Sequence, residues 1–227
     1  MKKTIILLTI LITTSCGIQK IPSTELHTLE PAKLYETTED YISNKSVEAG
    51  ILIKERSNQH IKIKGVFDLN TGIKIKRGMS TWIIEYNGNK YFNLGYSGDV
   101  NHWNYFGKLD IEGKYCAIII DKNSPNILKS SSNNYGGGLA GVLIGESSKW
   151  NKNWKDENGE KKKILFIDTE NIRQKNANRN IGSLGDYLTR KQLQEITNEI
   201  GLNLSDTEIK NIMFEKIIQI LKTENNK

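Results

Sequence analysis

The sequence predicts an α+β protein, in which an antiparallel β-sheet domain, built as a sandwich or a barrel, precedes a C-terminal helical hairpin. Short runs that alternate apolar and polar residues recur from residue 50 onward. The dipeptide Asn87-Gly88 separates two such runs, as in a tight hairpin. Near the C-terminus the apolar residues change to helical spacing. We therefore divide the chain into residues 1–15, 16–33, 34–170 and 171–227.

Residues 1–15 are typical of a signal peptide, which is removed from the mature chain. Two lysines open the chain, an apolar stretch follows over residues 4–14, and the small Ser15 precedes Cys16. About eleven residues would cover roughly 16 Å as a helix, which is about half of the hydrocarbon thickness of a bilayer. A permanent membrane-spanning helix is therefore not expected here.

The stretch TTSC, which ends at Cys16, resembles the lipobox of bacterial lipoproteins. The resemblance implies that the thiol of Cys16 is acylated and that the new amino group is acylated after cleavage. Three acyl chains would anchor the protein stably to a lipid bilayer. Gly17 replaces the Asp typical of inner-membrane retention, and residues 18–21 lack the acidic residues typical of surface export. We therefore expect the periplasmic face of the outer membrane. The alternative is an ordinary secretory signal.

Residues 16–33 predict a flexible tether, because they contain two prolines and show no periodicity. The mature chain of about 210 residues is long enough for a domain with a real core. Its basic residues are spread along the sequence, which argues against nucleic acid as a partner. Cys116 would be the only cysteine left beside the lipidated one, so we expect no internal disulfide and interpret Cys116 as a buried, inert thiol.

The runs HIKIKGVF and GIKIKRG predict two strands, joined by the turn DLNTG at residues 68–72. Their isoleucines are expected to face the core and their lysines to face solvent: Ile61, Ile63, Ile73 and Ile75 inside, Lys62, Lys64, Lys74 and Lys76 outside. Lysines on an edge also protect a sheet against aggregation. An anion-binding stripe is the alternative interpretation.

The string WIIEYNGNKYFNLGYSGDVNHWNYFGKLDIEGKYCAIIIDK, together with TTEDYISNKSVE before it, resembles a pattern in uncharacterised Bacteroidota lipoproteins. The similarity covers about half of the mature chain. It implies a β-rich lipoprotein and carries no activity that could be transferred to this chain.

The glycine-rich segment 135–145 formally matches G-x-G-x-x-G. The dinucleotide fingerprint requires a preceding strand, whereas KSSSNN predicts a loop, and no phosphate-binding loop motif occurs. We expect no nucleotide. The segment is too short to span a bilayer. It is expected to pack on the domain before a solvated loop, or alternatively to dip into the headgroup layer with Trp150 and Trp154 as interfacial anchors.

The C-terminal region predicts a hairpin of two helices. The first lies within LGDYLTRKQLQEITNEIG and ends at Gly201. The second begins at a capping box formed by Ser205 and Glu208. It carries an apolar stripe that is expected to face the core.

No motif for catalysis, a metal or a cofactor is apparent, since none of the three histidines has metal-ligand spacing. The sequence therefore favours a non-catalytic envelope lipoprotein that binds a partner, such as an unidentified envelope protein, or has a structural role in assembly. An alternative is a glycan-binding module that stacks sugar rings on exposed aromatic residues. Its candidate residues are Trp82, Tyr96, His102, Trp103 and Tyr105, with Tyr91 as a further platform. An enzyme would need His102 to converge with carboxylates.

Overall fold

The computed structural model describes residues 19–75, 81–100, 102–129, 151–170 and 185–225. It confirms the predicted α+β class and its barrel alternative: six antiparallel strands close into a barrel, beside a second antiparallel sheet and C-terminal helices. The predicted signal peptide, Cys16 and the glycine-rich segment 135–145 lie outside the described residues.

The barrel strands follow the order β1-β2-β3-β6-β5-β4, with β4 pairing back to β1. They are β1 (Glu30–Tyr35), β2 (Val47–Arg56), β3 (His60–Phe67), β4 (Ile83–Tyr86), β5 (Asn89–Asn93) and β6 (Tyr105–Lys108). Because side chains alternate across a strand, one face of each points into the barrel. The interior is filled by aliphatic and aromatic side chains, including Leu34, Ile51, Ile61, Ile63, Ile84 and Phe106.

The β4–β5 hairpin turns at Asn87-Gly88, as the sequence predicts. Both residues have positive φ, 48° and 70°, which is the conformation of a two-residue hairpin turn. The turn at residues 68–72 is also confirmed, since the amide of Asp68 donates to the carbonyl of Ile73 at 2.9 Å. The strand predicted after it is reduced to isolated bridges, and Ile73 is 38% exposed instead of facing the core.

The second sheet contains β7 (Tyr115–Ile120), β8 (Trp154–Lys155), β9 (Lys161–Asp168) and β10 (Asp186–Tyr187). Its two faces are both buried. Cys116, Ile118 and Leu165 pack with Trp82 and Phe92 of the barrel side. Tyr115, Ala117, Ile164 and Phe166 pack with the C-terminal helices. Burial on both faces explains the continuous apolar runs of β7 and β9.

The helices are α1 (Thr38–Ile42), α2 (Arg190–Glu199), α3 (Asp206–Asn211) and α4 (Phe214–Glu224). The predicted capping box of Ser205 and Glu208 begins α3. The second predicted helix is interrupted, because Ile212 adopts an extended conformation with ψ 134°. The first predicted helix begins only at Arg190, where Thr189 and Gln192 form a capping box. The C-terminal region thus contains three helices instead of the predicted hairpin of two.

The prediction of a flexible tether over residues 16–33 is wrong for its described part. A 3₁₀ helix covers Ser23–Thr28 and β1 begins at Glu30. Ile21 and Leu29 are buried against Phe67 in a small apolar cluster of their own. These two apolar side chains attach the segment to the barrel despite its polar composition.

Candidate functional site

The largest exposed aromatic side chain in the described part of the chain is Trp103, which is 48% exposed. His102 and Tyr105 flank it in the sequence and are partly accessible. The side chains of Lys62 and Glu55 approach Tyr105 from the neighbouring strands β3 and β2. We call these five residues the Trp103 surface.

Trp103 is held in place by the backbone beneath it. A Cβ atom added to Gly95 would lie 2.4 Å from Cε3 of the Trp103 indole, so the ring lies directly on this glycine. Tyr96 contacts the indole edge-on, with ring centroids 5.6 Å apart. The side chain of Asn93 accepts a hydrogen bond from the amide of Gly95 at 3.0 Å and so stabilises the turn. One face of the indole is therefore packed while the ring stays half exposed.

Tyr105 is the centre of a polar network. Lys62 Nζ donates to Tyr105 Oη at 2.6 Å, and Tyr105 Oη donates to Glu55 Oε2 at 3.4 Å. Glu55 also pairs with His60 Nε2 at 3.2 Å, and this hydrogen bond lowers the pKa of the Glu55 carboxyl below its usual value. Ser57 bonds the other ring nitrogen of His60 at 2.7 Å. A hydrogen-bonding anion, a cation and a hydroxyl group thus meet at Tyr105, two residues along the chain from the exposed indole.

His102 faces Tyr105, with ring centroids 6.1 Å apart. Partial burial lowers the pKa of its imidazole, which favours the neutral form that can both donate and accept a hydrogen bond. Asp99, its nearest acidic residue in the sequence, is turned to the second sheet. The Asp99 carboxylate accepts from Lys152 Nζ and from the amide of Tyr187, each at 2.7 Å. Within the described ranges, His102 has no carboxylate partner.

Two of the predicted ligand-binding residues are buried, and for these the prediction is wrong. Trp82 is 1% exposed and packs edge-on between Tyr41 and Phe92. Tyr96 is 8% exposed, and the additional platform residue Tyr91 faces the barrel interior. Large aromatic rings gain most from burial, and the junction of barrel and second sheet needs that volume. Of the five candidates, the structure brings together the rings of His102 and Tyr105, and it leaves Trp103, the residue next to His102 in the sequence, half exposed.

Cys116 is fully buried in β7, and burial raises the pKa of its thiol to about 11. The predicted burial of this thiol is confirmed, and its lack of reactivity stays a prediction. Trp154 is 0% exposed in β8, so its predicted alternative role as an interfacial anchor is wrong. It belongs to a hairpin with β9 instead of the predicted solvated loop. Trp150 lies outside the described residues.

A concave region lies between the barrel and the second sheet, apart from the Trp103 surface. This cleft of about 550 Å³ is lined by charged residues of both signs and by Tyr41. Its charges pair with each other: Lys90 Nζ lies 2.9 Å from Glu112, and Lys114 Nζ lies 2.7 Å from Glu170. Because the charged groups satisfy one another, the cleft does not indicate a ligand.

In the described ranges, no group of three His, Cys, Asp or Glu side chains is placed to hold a metal ion. The helices within those ranges also include none that is long and apolar enough to cross a membrane. The chain matches no protein-family model, and no curated protein or solved structure is significantly similar to it. The resemblance to Bacteroidota lipoproteins therefore stays a prediction from the sequence.

Proposed function

We propose that this protein is a non-catalytic lipoprotein of the cell envelope, which is held at the periplasmic face of the outer membrane by acyl chains on Cys16 and binds a partner through its β-rich domain. The lipobox resemblance at the N-terminus supports the anchor. The domain's exposed aromatic surface supports binding. No cofactor, nucleotide or nucleic acid enters this proposal.

The observation that carries the binding proposal is the half-exposed indole of Trp103, which is packed on Gly95 in the turn that also holds His102 and leads to Tyr105. An indole held in place loses little entropy when a flat apolar face packs on it. Sugar rings offer such a face, with hydroxyl groups around it for Glu55, Lys62 and His102. A glycan of the envelope is therefore the partner that this surface favours. An envelope protein that inserts an aliphatic side chain is the second candidate.

Binding can be tested with purified Cys16→Ser protein and a panel of envelope glycans, namely peptidoglycan fragments and lipopolysaccharide oligosaccharides. We expect one class to bind and Trp103→Ala to weaken that affinity about tenfold or more, since stacking contributes about 1–2 kcal/mol. Leu202→Ala is the matched control, because Leu202 is 49% exposed on another part of the protein. Absence of glycan binding, or equal affinities in Trp103→Ala, would leave the protein partner as the candidate.

The anchor is tested separately. Mass spectrometry of the N-terminal peptide from the native cell envelope is expected to show fatty acyl groups on Cys16. Cys16→Ser is expected to leave the membrane fraction. An unmodified mature N-terminus in the native protein would contradict the lipoprotein proposal.

A further inference from the structure

The described chain joins the barrel very soon after the expected lipid attachment site. The backbone carbonyl of Gln19 accepts a hydrogen bond from the amide of Lys74 at 2.9 Å. Only two residues separate Cys16 from Gln19. An extended chain advances at most about 3.6 Å per residue, so the two Cα atoms lie within about 11 Å of each other.

This entry point is attached by several contacts. The amide of Ile21 donates to the carbonyl of Gly72 at 2.9 Å, and the Ile21 side chain is buried. Lys74 Nζ donates to the side-chain oxygen of Gln19 at 2.8 Å. The barrel therefore follows the anchor closely, with little chain between them to act as a spacer.

The surface around the entry point is cationic and partly apolar. Lys20 is exposed beside Ile73, with which it forms a β-bridge. The exposed Lys64 precedes Gly65, and a Cβ added to that glycine would lie 3.4 Å from Cε of Lys74. In the described part of the chain, none of these three lysines forms an ion pair with a carboxylate. We call Gln19, Lys20, Lys64, Ile73 and Lys74 the entry face.

Asp68, the acidic residue of the adjoining turn, already accepts hydrogen bonds within that turn. The Asp68 carboxylate accepts hydrogen bonds from the amides of Asn70 and Thr71 at 3.0 and 2.8 Å, and from the Thr71 hydroxyl at 2.8 Å. These bonds lower the pKa of the Asp68 carboxyl. The lysine charges of the entry face thus remain available for an external anion.

We propose that the entry face lies on the anionic headgroup layer of the same membrane that holds the acyl chains of Cys16, an inference that rests on the proposed lipid anchor. The short link keeps the entry face within about 11 Å of Cys16, a distance comparable to the Debye length of about 8 Å at physiological salt, so that its lysines can attract lipid phosphates. Ile73, which is 38% exposed, is placed to enter the interfacial region. The domain is then oriented on the membrane instead of moving freely on a tether.

Lysine accessibility on vesicles tests this orientation. The mature chain is coupled through Cys16 to maleimide lipid, and Cys116 does not compete because it is fully buried. The coupled protein is studied on phosphatidylcholine vesicles with and without phosphatidylglycerol. A neutral acetylating ester modifies its lysines, and mass spectrometry gives the acetylation rate of each lysine. We expect Lys20, Lys64 and Lys74 to react about threefold or more slowly on the anionic vesicles, and high salt to remove the difference. Lys210 and Lys216, exposed on α3 and α4, should react at the same rate on both vesicle types.

Two variants of equal charge provide the control. The double variant Lys20→Glu with Lys64→Glu replaces two cations of the entry face by anions and leaves the Lys74–Gln19 bond intact. Because the entry face is then no longer attracted to anionic lipid, protection of Lys74 from acetylation should be lost. Lys210→Glu with Lys216→Glu should leave Lys74 protected. Equal acetylation rates on both vesicle types, or protection of Lys210 and Lys216 instead, would overturn the proposed orientation. Because maleimide coupling supplies the anchor, such a result is independent of whether the native Cys16 is acylated.

Discussion

The guanidinium carbon of Arg190 lies 4.9 Å from the centre of the Trp154 ring, and each residue has a buried nitrogen that finds no hydrogen-bond partner among the described residues. Burial lowers the pKa of Arg190, and no carboxylate forms an ion pair with it in the described ranges. To the described residues the guanidinium donates two long bonds of 3.5 Å, which reach the carbonyls of Asn151 and Asn153. Contact with the indole therefore stabilises this cation where other arginines use a salt bridge.

Substitutions at this pair are expected to differ strongly in their effect on stability. Trp154→Ala should lower the free energy of unfolding by about 3–5 kcal/mol, because the ring is fully buried in the core. Arg190→Met should change it by about 1 kcal/mol or less, because it keeps the apolar stem and removes a desolvated charge. Urea denaturation measures both. A loss of stability in Arg190→Met as large as that in Trp154→Ala would show that the cation itself stabilises the fold.

Cys116 should make the stability of the protein fall at alkaline pH. The folded-state pKa of about 11 exceeds the ordinary value of 9.0, so folding favours the protonated thiol. This contribution is fully present below pH 9 and is lost as the pH rises through 11. Between pH 9 and pH 11 the free energy of unfolding of the native protein should fall by about 2–3 kcal/mol more than that of Cys116→Ala. Urea denaturation measures this difference. A thiol reagent should not modify Cys116 in folded Cys16→Ser protein.

The β4–β5 turn requires glycine for its backbone conformation alone. Gly88 has φ 70°, and apart from its two neighbours in the chain no described residue has an atom within 4 Å of the Cβ that alanine would add. Gly88→Ala should therefore lower the free energy of unfolding by about 1 kcal/mol, the cost of the left-handed conformation. Thermal or urea denaturation measures this loss. No loss would indicate that the turn rearranges.

Asn225 attaches the end of α4 to the second sheet. Its side chain accepts from the amide of Tyr115 and donates to the carbonyls of Tyr115 and Glu112, each at 2.8 Å. Asn225→Ala should lower the free energy of unfolding by about 2–3 kcal/mol. Asn225→Asp should cost more, since a carboxylate cannot donate to two carbonyls. Asn211→Ala, at an exposed position of α3, is the control and should change stability by less than about 0.5 kcal/mol.

Gly95 should control ligand binding at the Trp103 surface without contacting the ligand. An alanine Cβ at this position would lie 2.4 Å from the Trp103 ring, so the indole must move. We expect Gly95→Ala to weaken glycan binding about tenfold. Near-ultraviolet circular dichroism should report the displaced indole, while the far-ultraviolet spectrum stays unchanged. Retained affinity in Gly95→Ala would contradict the role of a preorganised ring.

Local features of the fold could be predicted because their chemistry lies within a few residues. The Asn87-Gly88 hairpin, the turn at residues 68–72 and the Ser205 capping box each depend on neighbours in sequence, and all three are present. The tether prediction failed because composition does not reveal a sparse contact. Before β1 begins, the buried side chains that attach this segment are Ile21 and Leu29, which stand among mainly polar residues. The second helix was predicted as one continuous helix because the apolar stripe in the sequence continues through the break at Ile212.

The amino-acid sequence by itself determined the α+β class and the positions of the turns, and its resemblance to a lipobox predicts anchoring at Cys16. Only the tertiary structure decided that the strands close through the pairing of β1 with β4, which are separated by some fifty residues. It also decided which aromatic residues are accessible. Trp82 and Trp103 have the same chemistry, but the first fills the junction of barrel and sheet and the second lies over a glycine at the surface. Such burial depends on long-range packing, which no local pattern encodes.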